Sequence, residues 1–511
     1  MSKIINTKNP KEAQLKGISS VVDLMAITIG PRGRNVSLTN GDTVNDGKRI
    51  AEDIILKDPQ EKKGATKVRN LVRKISSDVG GGRTACGILY KELCRTGLNL
   101  LERGFNANLL KKGMDLAVKD ITEQLDKMAK PAKGHLKEIA TISTESEELG
   151  KVIAETMEKI GKDGIVTVED SNSFGISTEI AEGLKFDRGY ISPYMITNDR
   201  QEAQYNDIPV LITDKKLSFF KDLQPIFDSL LKKSRKDLMI IAEDLEGEAL
   251  NVCVLAKLKG QFNTLAIKTP GIGDNKKYCI EDLCALTGAE LWTEFQKEPK
   301  LGKIKKVLST KDKTIIQSVG DVKTWITTLK TRRELTENKW EIDQFNERIA
   351  KLQNGIAVIK VGASSEDEVK YLKLKIEDGV NETKRALEEG IVMGGNVSFI
   401  HALKEIGSKT LPNEEVIGYQ IVTKAIEAPL RQIVENSNGS PDVAIAMIMN
   451  LKNLTGGYNS LDNKVVDDIY SLGIIDAVKV VKAVLQYAVN EASLFLSIGG
   501  DISEELKEDG K

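Results

Sequence analysis

The spacing of apolar residues changes along this chain, and each change marks a new kind of structure. Over residues 11–128 the period is helical. Val68, Leu71, Val72, Ile75 and Val79 recur three and four apart, as do Cys86, Leu89, Leu93 and Leu100. Leu110, Met114, Ala117, Val118, Ile121, Leu125 and Met128 form one long stripe, which predicts a helix that stops before Pro131. Leu149, Val152, Ile153, Thr156 and Ile160 predict another, joined through Gly161-Lys162-Asp163-Gly164 to a strand at 165–168. From about 182 to 300, short apolar runs at 210–213, 238–241 and 264–267 alternate with helical stretches, as buried strands of an α/β layer do. Leu335, Ile342, Phe345, Ile349 and Leu352 predict a helix leading back to a strand at 356–359. After Ser364 or Ser365, either able to open a capping box, a long helix carries Asp378, and helical spacing continues to about 495.

The order helical, mixed, α/β, mixed, helical implies nested insertion. A chain of 511 residues is too long for one core. The expected fold is therefore multidomain, α and α/β. Residues 1–128 and 389–511 would form one domain, 129–181 and 357–388 a small second one, and 182–356 an inserted third.

Composition narrows the function classes. The hydrophobic fraction of 40% and charged fraction of 29% are those of a soluble globular protein. With 74 basic and 75 acidic residues interspersed, no nucleic-acid footprint is expected. No apolar run is long enough to span a bilayer, and no leader precedes the first domain, so a cytoplasmic, membrane-free setting is expected. Cys86, Cys94, Cys253, Cys279 and Cys284 form no CxxC pair and read as reduced thiols. His135 and His401 are the only histidines and sit in no ligand-like cluster. Chemistry is thus left to carboxylates, backbone amides and a ligand's own phosphates.

The run Val79-Gly80-Gly81-Gly82-Arg83-Thr84 lies between two helical segments, where free N–H groups at a helix N-terminus can hold an anion. Other strings accompany it: Thr28-Ile29-Gly30-Pro31-Arg32-Gly33-Arg34-Asn35-Val36, the hairpin-like turn Asn45-Asp46-Gly47, Glu377-Asp378, and Glu388-Glu389-Gly390-Ile391-Val392-Met393-Gly394-Gly395. Gly457-Tyr458-Asn459 and Leu472-Gly473-Ile474-Ile475-Asp476 follow. With Phe186-Asp187-Arg188-Gly189-Tyr190-Ile191-Ser192-Pro193-Tyr194 and Glu427-Ala428-Pro429-Leu430-Arg431-Gln432-Ile433-Val434, the chain resembles the group I chaperonins, the GroEL-like family, from about Asn6 to Ser493.

The resemblance names the three domains equatorial, intermediate and apical, and implies a homo-oligomeric ring, heptameric in the family, that folds non-native client proteins with ATP and Mg2+. It places Thr28, Ile29, Gly30 and Pro31 at the phosphate and base region, Gly81, Gly82, Arg83, Thr84 and Ala85 in the phosphate loop, and Gly395, Asn459 and Asp476 at the adenosine end. Asp46 would stand near the γ-phosphate, and Asp378 would position the attacking water. Client-binding positions would be Tyr190, Tyr194 and Met195, then Phe220, Leu223 and Phe227, then Leu250, Val254 and Leu255.

The chain also departs from the family. The family loop reads Gly-Asp-Gly-Thr-Thr-Thr; here it is Gly80-Gly81-Gly82-Arg83-Thr84-Ala85. Gly81 removes the Mg2+-ligating carboxylate, which should weaken capture of the metal. Arg83 would neutralise phosphate charge instead. Asp78 is the nearest surrogate ligand. Asn45 replaces a lysine, Ser440 replaces an acidic partner of Arg431 between rings, and the end from Glu504 to Lys511 is a short charged tail without Gly-Gly-Met repeats. Three readings stay open: a ring chaperone with weak ATP hydrolysis, a fully ATP-driven folding machine, and a passive holdase or scaffold ring. Single or double ring, and a co-chaperonin lid, also stay open.

Overall fold

The computed structural model describes residues 4–504 apart from 9, 162–163, 172, 182, 272, 294–298, 318–319, 354, 408–410 and 412. The link through Lys162 and Asp163 and the tail beyond Glu504 lie outside the described residues. The chain divides into two compact units, Met1–Glu158 with Ser364–Lys511, and Lys159–Ala363. Seven helices come first: α1 (Lys11–Ala26), α2 (Gly47–Asp53), α3 (Pro59–Asp78), α4 (Arg83–Glu102), α5 (Ala107–Met128), α6 (Leu136–Thr144) and α7 (Glu147–Ile160). The second unit carries α8 (Gln224–Lys232), α9 (Gly247–Leu258), α10 (Asp274–Thr287), α11 (Val322–Leu335) and α12 (Lys339–Gln353). The return to the first unit supplies α13 (Glu366–Glu389), α14 (Val397–Ile406), α15 (Asn413–Ala425), α16 (Ala428–Asn436), α17 (Pro441–Asn450) and α18 (Val478–Leu496).

In the first unit, the apolar stripes meet as the periodicity requires. Helix α1 packs on α3, α4 on α18, α5 on α15, and α13 on α6. Val22, Met25, Val72, Ile75, Leu89, Leu93 and Phe495 are fully buried between them. The α5–α15 crossing is close because both helices present glycine. A Cβ on Gly113 would overlap the Glu415 carbonyl, and one on Gly418 the Leu110 carbonyl. Helix starts follow their local signals. Asp58 accepts from the N–H groups of Gln60 and Glu61 ahead of Pro59. Of the two candidate serines, Ser365 caps α13, accepting from Glu368 N at 3.2 Å, while the Glu368 carboxylate accepts from Ser364 N at 3.1 Å.

Three details differ from the sequence reading. The helix expected from Leu335 begins instead at Lys339. Leu335 ends α11 exposed, and Asn338 Oδ1 accepts from Trp340 N at 3.1 Å, a cap that restarts the chain as α12. Asp46 does not sit in a hairpin-like turn but caps α2, accepting from Arg49 N at 2.8 Å. The C-terminal stretch is not wholly helical. Ile391–Met393 pairs antiparallel with Ile475–Ala477, and Gly457–Asn459 with Lys464–Val466.

The second unit is built on a six-stranded sheet in the order Asn263–Lys268, Asp237–Ala242, Ala203–Ile212, Gly302–Ser309, Thr314–Gln317, Gly183–Phe186. The first three strands are parallel and the rest antiparallel. Parallel strands covered by helices must be apolar on both faces, and Leu238, Met239, Ile240, Ile241 and Ala242 are all buried. A separate three-stranded sheet places Ile356–Gly362 between Ile165–Asp170, parallel, and Gly175–Ala181, antiparallel. Among the described residues no helix is long and apolar enough to cross a membrane.

Candidate functional site

The N-terminus of α4 is open. Gly82 precedes it with φ of 75°, and among the described residues no side chain caps it. The first N–H groups of a helix have no partner within it, so those of Arg83, Thr84 and Ala85 point outward with the positive end of the helix dipole. Ile75 O accepts from Val79 N and Gly80 N, which fixes the approach of the loop. The three glycines are required because two helices press on the loop. A Cβ on Gly80 would lie 2.7 Å from Asn381 Cβ of α13, and one on Gly82 would lie 2.5 Å from Val484 Cγ2 of α18. A Cβ on Gly81 would overlap Glu382 Oε1 and stand 2.7 Å from its Cδ.

Arg83 is the electrostatic centre. Its guanidinium donates to Asp378 through Nη2–Oδ2 at 2.6 Å and Nη1–Oδ1 at 3.3 Å, and Nη1 also reaches Ser76 Oγ at 3.3 Å. Nη2 lies 3.3 Å from Asp46 Oδ2. One cation therefore bridges the two carboxylates expected to act on nucleotide. The Arg83 side chain is 16% exposed. Burial acts to lower its pKa, but Asp46 and Asp378 outweigh burial and raise it. Burial also raises the Asp378 carboxyl above its ordinary range, against the pull of Arg83. Glu382, one turn along α13, is pushed up to about 7 by burial, with the Ser143 hydroxyl opposing.

The other expected residues fall around this centre to different degrees. Thr84 Oγ1 would be 2.7 Å from a Cβ on Gly47, so the hydroxyl sits beside the start of α2. The segment Thr28–Pro31 is a partly exposed turn closing α1. Thr28 Oγ1 donates to Met25 O at 2.7 Å, Gly30 has φ of 84°, and Asn436 Nδ2 binds Ile29 O at 2.9 Å. Gly395 has φ of 65° and open space at its Cβ position. Asp476 Oδ2 accepts from Asn396 N at 3.5 Å. Asn459 is turned into its own hairpin, donating to Asp462 Oδ2 and accepting from Leu461 N, so it is not brought to Asp476 by its hydrogen bonds. Asp78 is engaged by another side chain: Tyr487 donates to it at 2.6 Å and holds its carboxyl below the usual range. Asn45 binds Glu145 at 2.8 Å, and Lys375 of α13 meets the same carboxylate at 2.9 Å.

Glu382 was not expected. It lies four residues after Asp378 in a helix, and only its pairing with a side-chain-free residue at 81 carried a signal.

A sequence model of the TCP-1/cpn60 chaperonin family matches residues 21–504. The chain belongs to this family. Its fold is similar to that of a chaperonin, gp146 from the bacteriophage EL 2 (Pseudomonas aeruginosa), solved in the presence of ATP-BeFx. The TM-score is 0.70 at 18% identity, over 98% of this chain and 99% of that one.

In this chaperonin the expected client-binding residues divide by burial. Tyr194 is 61% and Leu255 53% exposed, while Phe220, Leu250 and Val254 are half-buried. Tyr190, Met195, Leu223 and Phe227 are buried in the core of the second unit, which corrects their placement on a surface. Phe227 stacks on Phe262 at 4.2 Å and meets Phe220 edge-on at 5.4 Å, an arrangement of a packed interior. Phe219 and Leu258, 57% and 63% exposed, are apolar surface instead. Arg431 is not left alone by Ser440. It pairs with Glu427 at 2.8 Å and with Asp442, two residues beyond Ser440, at 2.7 Å.

One pH effect follows from Asp476. Burial pushes its carboxyl up to about 6, with the backbone N–H groups of Asn396 and Gly395 pulling the other way. A carboxyl raised in the folded state favours folding fully below its unfolded value, and that contribution is lost as pH rises through the folded one. The melting temperature of the wild type is therefore expected to fall relative to Asp476→Asn between pH about 4 and about 6. Parallel melting curves would assign the proton elsewhere.

Proposed function

We propose that this chaperonin forms a homo-oligomeric ring that captures non-native chains in its cavity and binds ATP at the N-terminus of α4, with hydrolysis that is slow. Residues 1–128 and 389–511 serve as the equatorial domain, 129–181 and 357–388 as the intermediate one, and 182–356 as the apical one. The observation that carries the nucleotide reading is the uncapped helix start beside Arg83, Asp46 and Asp378. Phosphate oxygens would accept from the N–H groups of Gly82 to Ala85, and Arg83 would add charge.

The same ion pair explains slow turnover. Asp378 must hold the attacking water with lone pairs that Arg83 leaves unused, and each of its oxygens already accepts from the guanidinium. Asp378 is better placed to act once a nucleotide's phosphates draw the guanidinium away. As for Mg2+, no group of three or more His, Cys, Asp or Glu side chains among the described residues could hold a metal alone. A nucleotide-bound Mg2+ needs only one or two protein carboxylates, and Glu382 beside the loop meets that requirement. When bound, the ion would supply further neutralisation of the phosphates.

Clients share exposed apolar surface rather than sequence, so an adaptable apolar face is what capture requires. Tyr194, Phe219, Phe220, Leu250, Val254, Leu255 and Leu258 provide one in the second unit. The test is refolding of a denatured client with ATP, with a non-hydrolysable analogue and without nucleotide. Rescue by ATP and by the analogue alike is expected. Rescue by ATP alone would make this a fully driven machine, and capture without rescue a holdase.

A further inference from the structure

We propose that Glu382 is the carboxylate of the phosphate loop, delivered from α13 into the space that Gly81 leaves, where it contacts the divalent cation carried by a bound nucleotide. The inference rests on the nucleotide reading and deepens it. The steric fit is reciprocal. A side chain at position 81 would start where the Glu382 carboxylate lies, 2.7 Å from Cδ and 3.1 Å from Cγ. One residue thus lacks a side chain where the other brings a carboxylate. Neighbouring contacts keep it there: Asn381 abuts Gly80, and α13 packs along α6, whose Ser143 faces Glu382.

Electrostatics decides what such a group can do. A carboxylate beside the N–H-rich start of a helix repels phosphate once nucleotide enters. Arg83 cannot fully resolve that conflict, because its single charge is shared with Asp46 and Asp378. A divalent cation lying between carboxylate and phosphates can, since Mg2+ combines one or two carboxylates with phosphate oxygens and water. Gly81 alone predicts weak Mg2+ dependence; Gly81 with Glu382 predicts that the dependence is kept.

The experiment is titration of the purified full chain with a fluorescent ADP analogue, in Mg2+ and in EDTA. Wild type should bind on the order of tenfold more tightly with Mg2+, the size expected for one charged contact. Glu382→Gln, nearly isosteric, should bring that ratio close to one, with binding in EDTA equal or tighter. The double variant Gly81→Asp/Glu382→Ala should regain it by returning the carboxylate to the loop, and it tests the idea even if the single variant melts early. A wild-type ratio preserved in Glu382→Gln, or absent in the double variant, would overturn the proposal while leaving nucleotide binding standing. No binding of the analogue by wild type in either condition would overturn both.

Discussion

Glutamate in place of Leu255 and Leu258 is expected to abolish capture of an unfolded client while leaving the melting temperature of the protein almost unchanged. Both side chains are more than half exposed and lie three residues apart on α9, so they share one helix face. Surface substitutions away from packed groups shift stability by no more than about 0.5 kcal/mol. Capture by contrast needs apolar contact, and two charges set into the strip should weaken it by roughly a hundredfold, given about 1.5–3 kcal/mol per buried leucine. Phe227→Glu gives the opposite pattern. That ring is buried between Phe220 and Phe262, and truncating a core phenylalanine alone costs about 3–5 kcal/mol. It should unfold the second unit, so any loss of capture there would be a loss of structure. Client binding measured beside a thermal melt separates the two. Undiminished capture by Leu255→Glu/Leu258→Glu would place the client surface elsewhere.

That contrast shows where the sequence could and could not be read. Helical periodicity located α3, α4, α5 and α7, because amphipathic stripes over about four turns or more leave little choice of partner. Buried parallel strands announced themselves by unbroken apolar runs. Periodicity could not tell Leu223 and Phe227, in the core, from Leu255, at the surface, since a helix can turn either apolar edge inward. At the loop, Asp46 and Asp378 were singled out through the family likeness, and Arg83 through its departure from it. Their ion pair joins residues 295 positions apart, and no local pattern reports that. Asn338 shows the reverse case, where a short cap signal was present and the longer apolar pattern overshadowed it.

Removing the Asp378 carboxylate should separate binding from hydrolysis. In Asp378→Ala, Arg83 keeps Asp46 at 3.3 Å but loses its shortest partner, at 2.6 Å, so the guanidinium becomes available to phosphate. Nucleotide is therefore expected to bind several-fold more tightly, as charge-assisted hydrogen bonds of about 1.5–3 kcal/mol are redirected in part to the ligand. Hydrolysis should fall on the order of 10²–10³-fold, the loss usual when one preorganised polar group is taken from a reacting centre. Single-turnover cleavage of ATP and equilibrium nucleotide binding, measured on the same preparation, test both arms. Unchanged cleavage would make Asp378 only the anchor of Arg83 and leave the orientation of water to Asp46. Weaker binding would mean that Arg83 needs Asp378 to hold it toward the ligand, so that the ion pair builds the phosphate site instead of competing with it.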